Sequence, residues 1–194
     1  MAFTPLSLDP VMLSVGYDIC KEYRNLNDLC SPFTRIFYVV EGEARLHLPE
    51  KTQRLTPGNL YMIPAYTTHG YECDNNFVHY YLHVKEGQEN IPLADLYKMP
   101  VEAKGCQVDL QIFQIMCEQL PSASLEISNP ATYDNAGKFS DFVNRYIELP
   151  FYVKMWIKGC ILVLFSRFLK KATLQDWTND VRLRKVLNYI FVNI

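Results

Sequence analysis

Apolar residues recur along this chain with two different spacings, and the change from one to the other is its strongest structural signal. Before about residue 85 the period is two. Leu13, Val15, Tyr17 and Ile19 alternate with Ser14, Gly16, Asp18 and Cys20, which predicts a strand with one wet face. Ala44, Leu46 and Leu48 alternate in the same way with Glu43, Arg45 and His47. Ile36 to Val40 is an unbroken β-favouring run and predicts a strand buried on both faces or paired centrally. Turn signals at Glu41-Gly42, Pro49-Glu50-Lys51 and Thr56-Pro57-Gly58 separate these runs. Short strands at this spacing predict a sandwich or barrel.

After about residue 105 the period becomes helical. Leu110, Phe113, Cys117 and Leu120 fall on one helix face, as do Phe139, Phe142, Val143, Tyr146 and Ile147. Leu183, Val186, Leu187, Ile190, Phe191 and Ile194 repeat the pattern after a cap at Asn179 or Asp180. Residues 86–104, with Pro92, Pro100 and the following Gly105, predict a connection without a long regular element. The helix from Tyr152 to Lys171 carries more apolar residues than one stripe holds, among them Met155, Ile161, Leu162, Phe165, Phe168 and Leu169. Two arrangements bury such a helix: a central position within one chain, or an interface with a second copy. The final stripe runs to Ile194 without a C-cap, so it either packs back on earlier helices or continues into a longer protein. The fold class predicted is α+β, a β half followed by a helical half.

Composition narrows the function classes. At 194 residues, 49% hydrophobic and 21% charged, the chain can bury a core and is not a disordered or low-complexity sequence. A net charge of −2 gives no basic surplus with which to grip nucleic acid unaided. The first ten residues lack the basic and apolar regions of a secretory signal, and the six cysteines contain no C-x-x-C pair. The expected location is therefore cytoplasmic, with the cysteines as small buried hydrophobes. The oily stretch Cys160 to Phe165, bracketed by Lys158 and Arg167, is too short to span a bilayer, and no membrane partner is expected.

All four histidines, His47, His69, His79 and His83, lie in the β half. A metal site would have to gather His47, His69 and one of the other two across strands, with Glu41, Glu43 or Glu72 supplying oxygen. No local motif requires this. More informative is the run Phe77 to Val84. Alternation places Phe77, His79, Tyr81 and His83 on one face and Val78, Tyr80, Leu82 and Val84 on the other. The first face suits a small polar molecule with an apolar side, such as a sugar. A wet outer face, or histidines satisfied within the core, would give the same pattern. Neither a G-x-S-x-G elbow nor a glycine-rich phosphate loop is present, and no catalytic residue or cofactor is expected.

Arg35 to Gly42, followed by Gly58 to His69 with its G-x5-P-x4-H spacing, resembles the double-stranded β-helix, or cupin jelly-roll barrel, of AraC-type transcriptional regulators. The connector Asn129-Pro130-x-x-Tyr133-Asp134 and the ending Arg182 to Ile190, which looks like the first helix of the AraC-type DNA-binding domain, extend the likeness. The resemblance implies a cupin-like effector-binding barrel at 1–104, a helical dimerisation segment at 105–178, and at 179–194 a linker and the start of a truncated helix-turn-helix domain. It implies Tyr71, His79 and Tyr81 as barrel-interior ligand residues, joined by His69 and Arg35, with Arg24 a second candidate for the ligand arginine. Partners implied are a small-molecule effector such as a sugar, a second copy of the chain, and DNA only through a C-terminal domain absent from this chain. The metal signature of enzymatic cupins, H-x-H followed by Glu, is missing, since His47 stands between Leu46 and Leu48. The rival expectations are a metal-dependent cupin enzyme, an isomerase or dioxygenase, and a pure dimerisation module whose barrel is filled by its own side chains.

Overall fold

The period-two half folds into two facing sheets. The computed structural model of the chain describes residues 8–73, 76–86 and 93–175, so the helix expected from residue 179 onward lies outside the described residues. Eight strands come first: β1 (Val11–Cys20), β2 (Arg24–Leu29), β3 (Thr34–Glu41), β4 (Ala44–Leu48), β5 (Lys51–Leu55), β6 (Asn59–Ile63), β7 (His69–Cys73) and β8 (Phe77–Lys85). There follow α1 (Leu93–Leu96), β9 (Tyr97–Lys98), β10 (Glu102–Lys104), α2 (Gln107–Gln119), a 3₁₀ turn at Pro121–Ala123, α3 (Pro130–Tyr133), α4 (Ala136–Ile147), α5 (Phe151–Leu169) and β11 (Thr173–Leu174). One sheet runs β1-β8-β3-β6-β10, the other β2-β7-β4-β5, and β9 pairs with β11. Every ladder is antiparallel.

From β1 to β8 every pair of consecutive strands except β4–β5 changes sheets, which is what wraps the two sheets around one interior. Gly42 makes the β3–β4 crossing at φ 73, and a Cβ there would meet the Asn76 carbonyl oxygen at 2.4 Å. Only glycine satisfies both demands. Gly58 takes φ 77 between β5 and β6, as its Pro-Gly turn predicts.

The five-stranded sheet is buried on both faces. Phe37, Val39, Tyr61, Ile63, Phe77 and Tyr81 point inward against Ala44, Leu46, Leu55 and Cys73 of the opposite sheet. Ile36, Tyr38, Leu60, Met62, Leu82 and Val84 point outward against Phe113 and Met116 of α2 and Ile157, Ile161, Leu164, Phe165 and Phe168 of α5. The central strand β3 is thus buried on both faces through Val39, as its continuous apolar run predicts, whereas Val40 at the end of that run is exposed. Asp109, fully buried at the start of α2, accepts from the Cys106 backbone N–H and from Arg167 Nε of α5, both at 2.9 Å, and so ties the two helices together.

Three expectations need correction. In β1 a bulge between Met12 and Ser14 resets the alternation. The polar set Ser14, Gly16, Asp18 and Cys20 faces the interior, while Tyr17 and Ile19 on the other face are exposed. Ile147, placed on the buried stripe of α4 by its spacing, is exposed. The long helix resolves into two faces: Ile161, Phe165 and Phe168 are packed inside the chain's own core and offer no surface to a partner, whereas Met155 and Leu162 are exposed and Leu169 is half-buried.

Candidate ligand cavity

Strand β8 fixes the site by simple alternation. Its inward residues Phe77, His79, Tyr81 and His83 line a cavity between the sheets, and Val78, Tyr80, Leu82 and Val84 face away. Asp18, Cys20, Arg24, Arg35, Phe37, Ala44, Leu46, Leu55, Tyr71 and Cys73 complete the barrel wall. The wall is closed by Leu125, Ser128 and Tyr133, which come from the helical half. The free volume is about 40 Å³, room for roughly two to four waters.

Of the five ligand residues expected, four line this cavity: Tyr71, His79, Tyr81 and Arg35. His69 does not. It follows the turn around Tyr66, which takes the left-handed φ of 60, and its ring turns back so that Nδ1 donates to the Thr67 carbonyl at 2.8 Å. Its Nε2 is buried and has no hydrogen-bond partner among the described residues, and burial lowers its pKa.

The imidazoles in the wall are neutral. Burial brings the pKa of His79 down to about 4, against a smaller opposing pull from Asp18. Its ring stacks on Phe77 and meets Phe37 edge-on, with centroids 4.9 and 5.3 Å away, and its buried Nδ1 has no hydrogen-bond partner among the described residues. Burial and then the nearby Arg35 charge hold His83 well below the ordinary histidine range. Because a guanidinium only donates, the 3.4 Å contact from Arg35 Nη1 makes His83 Nε2 an acceptor, and Nδ1–H donates to Ser14 Oγ at 2.9 Å. Burial raises Tyr71, and it pushes Tyr81 up to about 12, so both phenols keep their protons.

Arg35 is 1% exposed, and most of its donors are already used. Nη1 donates to Tyr133 Oη at 2.7 Å, and Nη2 to Ser31 Oγ at 2.6 Å and Asp134 Oδ2 at 2.8 Å. Its carbon lies over the rings of Phe33 and Tyr133. Its Nε has no partner among the described residues. Ser31 donates to the same Asp134 oxygen. The connector read from the sequence as Asn129 to Asp134 is therefore a stopper on one end of the barrel. Asn129 caps α3 by accepting from Ala131 N–H, and this sets Tyr133 and Asp134 over Arg35. A second ion pair, Arg24 to Asp18 at 2.8 Å, stands elsewhere in the wall. Tyr81 Oη accepts from the Leu125 backbone N–H at 2.8 Å, anchoring the other end of the stopper.

Alternation alone does not reveal Asp18, Ser128 or Tyr133 as lining residues. Asp18 belongs to the polar set of β1, which reads as a solvent face but pairs with the inward residues of β8, and the other two reach the barrel through a long-range contact that no local pattern encodes. A metal ion does not fit these donors. Among the described residues no group of three His, Cys, Asp or Glu side chains is placed to hold one, and His47 sits on the outer face hydrogen-bonded to Thr52. No single helix among the described residues is long and apolar enough to cross a membrane.

Two sheets wrapped around a lined interior, with helices following, make this an α+β fold whose barrel is a double-stranded β-helix of the cupin kind. Residues 32–84 match the family described as "Cupin domain". Among solved structures, an RmlC-like cupin from Shewanella frigidimarina is 16% identical, with 42% of this chain and 79% of that chain covered and a TM-score of 0.34. AerE from Microcystis aeruginosa is 14% identical, covering 54% and 50%, with a TM-score of 0.39. Oxalate decarboxylase OxdC of Bacillus subtilis is 15% identical, covering 43% and 23%, with a TM-score of 0.34. The activities in those names are properties of those proteins. No curated protein sequence matches the chain.

Proposed function

We propose that this chain is the ligand-sensing and dimerising part of an AraC-type DNA-binding transcriptional regulator, cytoplasmic and without catalytic activity, responding to a sugar or related small metabolite. The observation that carries the reading is the character of the cavity wall. His79 and the Tyr71 phenol, both neutral, stand among Phe37, Leu46, Phe77 and Leu125. Such a wall meets a sugar ring with aromatic faces and its hydroxyls with hydrogen-bonding edges.

The volume of about 40 Å³ is well below the ~300 Å³ at which ligand pockets begin. A guest of sugar size therefore requires residues 124–134 to move outward. That stopper runs directly into α4, so occupancy of the barrel would favour one placement of the helical half over another, and only unequal affinity for the two placements transmits a signal. The exposed apolar residues Phe151, Tyr152, Met155, Leu162 and Val163 of α5, with Ile147 of α4, support a dimer through this half. DNA contact would fall to a helix-turn-helix region C-terminal to Ile194.

Thermal melts of the chain with mono- and disaccharides and common carbon-source metabolites test the reading. An effector at 100 times its Kd adds about 2.7 kcal/mol, and His79→Phe abolishes the shift. If no compound moves the midpoint, the sensor reading fails. Stoichiometric divalent metal in the purified protein would instead support a metal-dependent enzyme.

A further inference from the structure

Cys20 and Cys73 face each other across the barrel wall. Their sulfurs are 2.6 Å apart, although 53 residues separate them in sequence. Both are buried and both line the cavity. They belong to different sheets: Cys20 pairs with Phe77 of β8, and Cys73 pairs with Arg24 of β2 and Ala44 of β4. No strand ladder holds these two positions together. Cys20 Sγ also lies 3.0 Å from the Glu22 carbonyl oxygen, which accepts from its thiol.

We propose that Cys20 and Cys73 are an oxidisable pair, and that hydrogen peroxide admitted to the cavity joins them in a disulfide that fastens one sheet to the other. The oxidant follows from size. A cavity with room for a few waters admits peroxide and excludes a tripeptide disulfide such as oxidised glutathione. In the first step the Cys20 sulfur bonds to one peroxide oxygen and the O–O bond breaks. The departing oxygen leaves as water with the Cys20 proton, and Cys20 becomes a sulfenic acid. In the second step the Cys73 sulfur bonds to the Cys20 sulfur and the S–O bond breaks. The hydroxyl leaves with the Cys73 proton as a second water. The two sulfurs together give up two electrons, and peroxide takes them.

Arg24 lies close enough to Cys73 to oppose part of the effect of burial on its thiol. Burial pushes the Cys73 thiol up to about 12, so Cys73 keeps its proton until the departing hydroxyl takes it in the second step. The oxidised bond would sit in the same wall as His79, and it holds whatever the guest is. Oxidation state would thus set how far the two sheets can part.

The test uses the full chain treated with hydrogen peroxide, alkylated under denaturing conditions and digested. The expected result is a linked Cys20–Cys73 peptide pair and an intact mass lower by about 2 Da, both reversed by dithiothreitol. The melting midpoint rises on oxidation by roughly 5–15 °C. The same link forms in the Cys30→Ser, Cys106→Ser double variant, which removes the two exposed thiols. In Cys73→Ser, a dimedone adduct accumulates on Cys20. Recovery of Cys20 and Cys73 as alkylated free thiols from peroxide-treated, still-folded protein overturns the proposal. So does conversion of Cys20 to a sulfinic acid with no link to Cys73.

Discussion

Tyr133 accepts a 2.7 Å hydrogen bond from the guanidinium of Arg35, a residue 98 positions earlier in the chain. The tyrosine ring also stacks on His83, with centroids 5.4 Å apart. One side chain from the helical half therefore touches both Arg35 and His83, two deeply buried polar groups of the barrel. Beside it, Asp134 neutralises the charge of Arg35. A buried guanidinium is tolerated only when such partners satisfy it, so the barrel and the segment that closes it are energetically one unit.

Removing one partner exposes that dependence. Asp134→Ala leaves a buried, uncompensated cation and is expected to cost about 3 kcal/mol in urea or thermal unfolding. Adding Arg35→Met to the same chain removes the stranded charge and should recover a large part of the loss, so the double-mutant coupling is strongly non-additive. Additive costs would mean that Asp134 does not serve Arg35.

How much of this was legible in advance depends on the range of the interaction. Inward and outward positions of β8 and β4 follow from period two alone, because each strand has one face on the interior and the pleat permits no other assignment. The double burial of β3 follows from its unbroken apolar run. The turn glycines and the helix faces of α2 are equally local. Asp18 was hidden because the polar set of β1 reads as a solvent face, whereas it lines the interior. Arg35 was visible as a candidate, but its partners were not, since Ser31, Tyr133 and Asp134 meet it only after α3 docks. His69 fits the motif spacing, yet its ring is turned by a backbone carbonyl at Thr67, a detail no spacing carries.

The buried histidines give the fold an acid limit. His79 titrates at about 4 in the folded chain and near 6.5 when unfolded, and His83 and His69 are shifted in the same direction. Below pH 6.5 the unfolded chain binds more protons, so stability is full above that value and is lost as pH falls toward 4. Each such histidine contributes at most about 1.4 kcal/mol per pH unit. Urea titrations between pH 7 and 4 should show this slope, and His79→Phe should flatten it by close to one proton. An unchanged slope would place the neutral histidine elsewhere.

Tyr81 links the cavity to its stopper. Its hydroxyl accepts the Leu125 N–H and also fills the space beside Gly16, where a Cβ would lie 2.3 Å from the oxygen. Tyr81→Phe strands a backbone donor and is expected to cost about 1–2 kcal/mol. It should also speed amide exchange at Leu125 while leaving α2 and α5 protected. Gly16→Ala forces the ring aside and should destabilise by about 1–3 kcal/mol.

The two faces of α5 separate folding from association. Phe165 is wholly buried against the five-stranded sheet, whereas Leu162 is 44% exposed. Phe165→Glu places an unpaired carboxylate in the core and should abolish folding, seen as loss of the cooperative melt. A glutamate at an exposed site typically changes monomer stability by less than about 0.5 kcal/mol. Leu162→Glu should therefore keep the melt, and if α5 forms the dimer it should halve the mass seen by sedimentation equilibrium, because the charge would be desolvated only at an interface. Met155→Glu, 52% exposed on the same helix, should act the same way. A soluble Leu162→Glu protein that still sediments as a dimer would move the interface away from this helix.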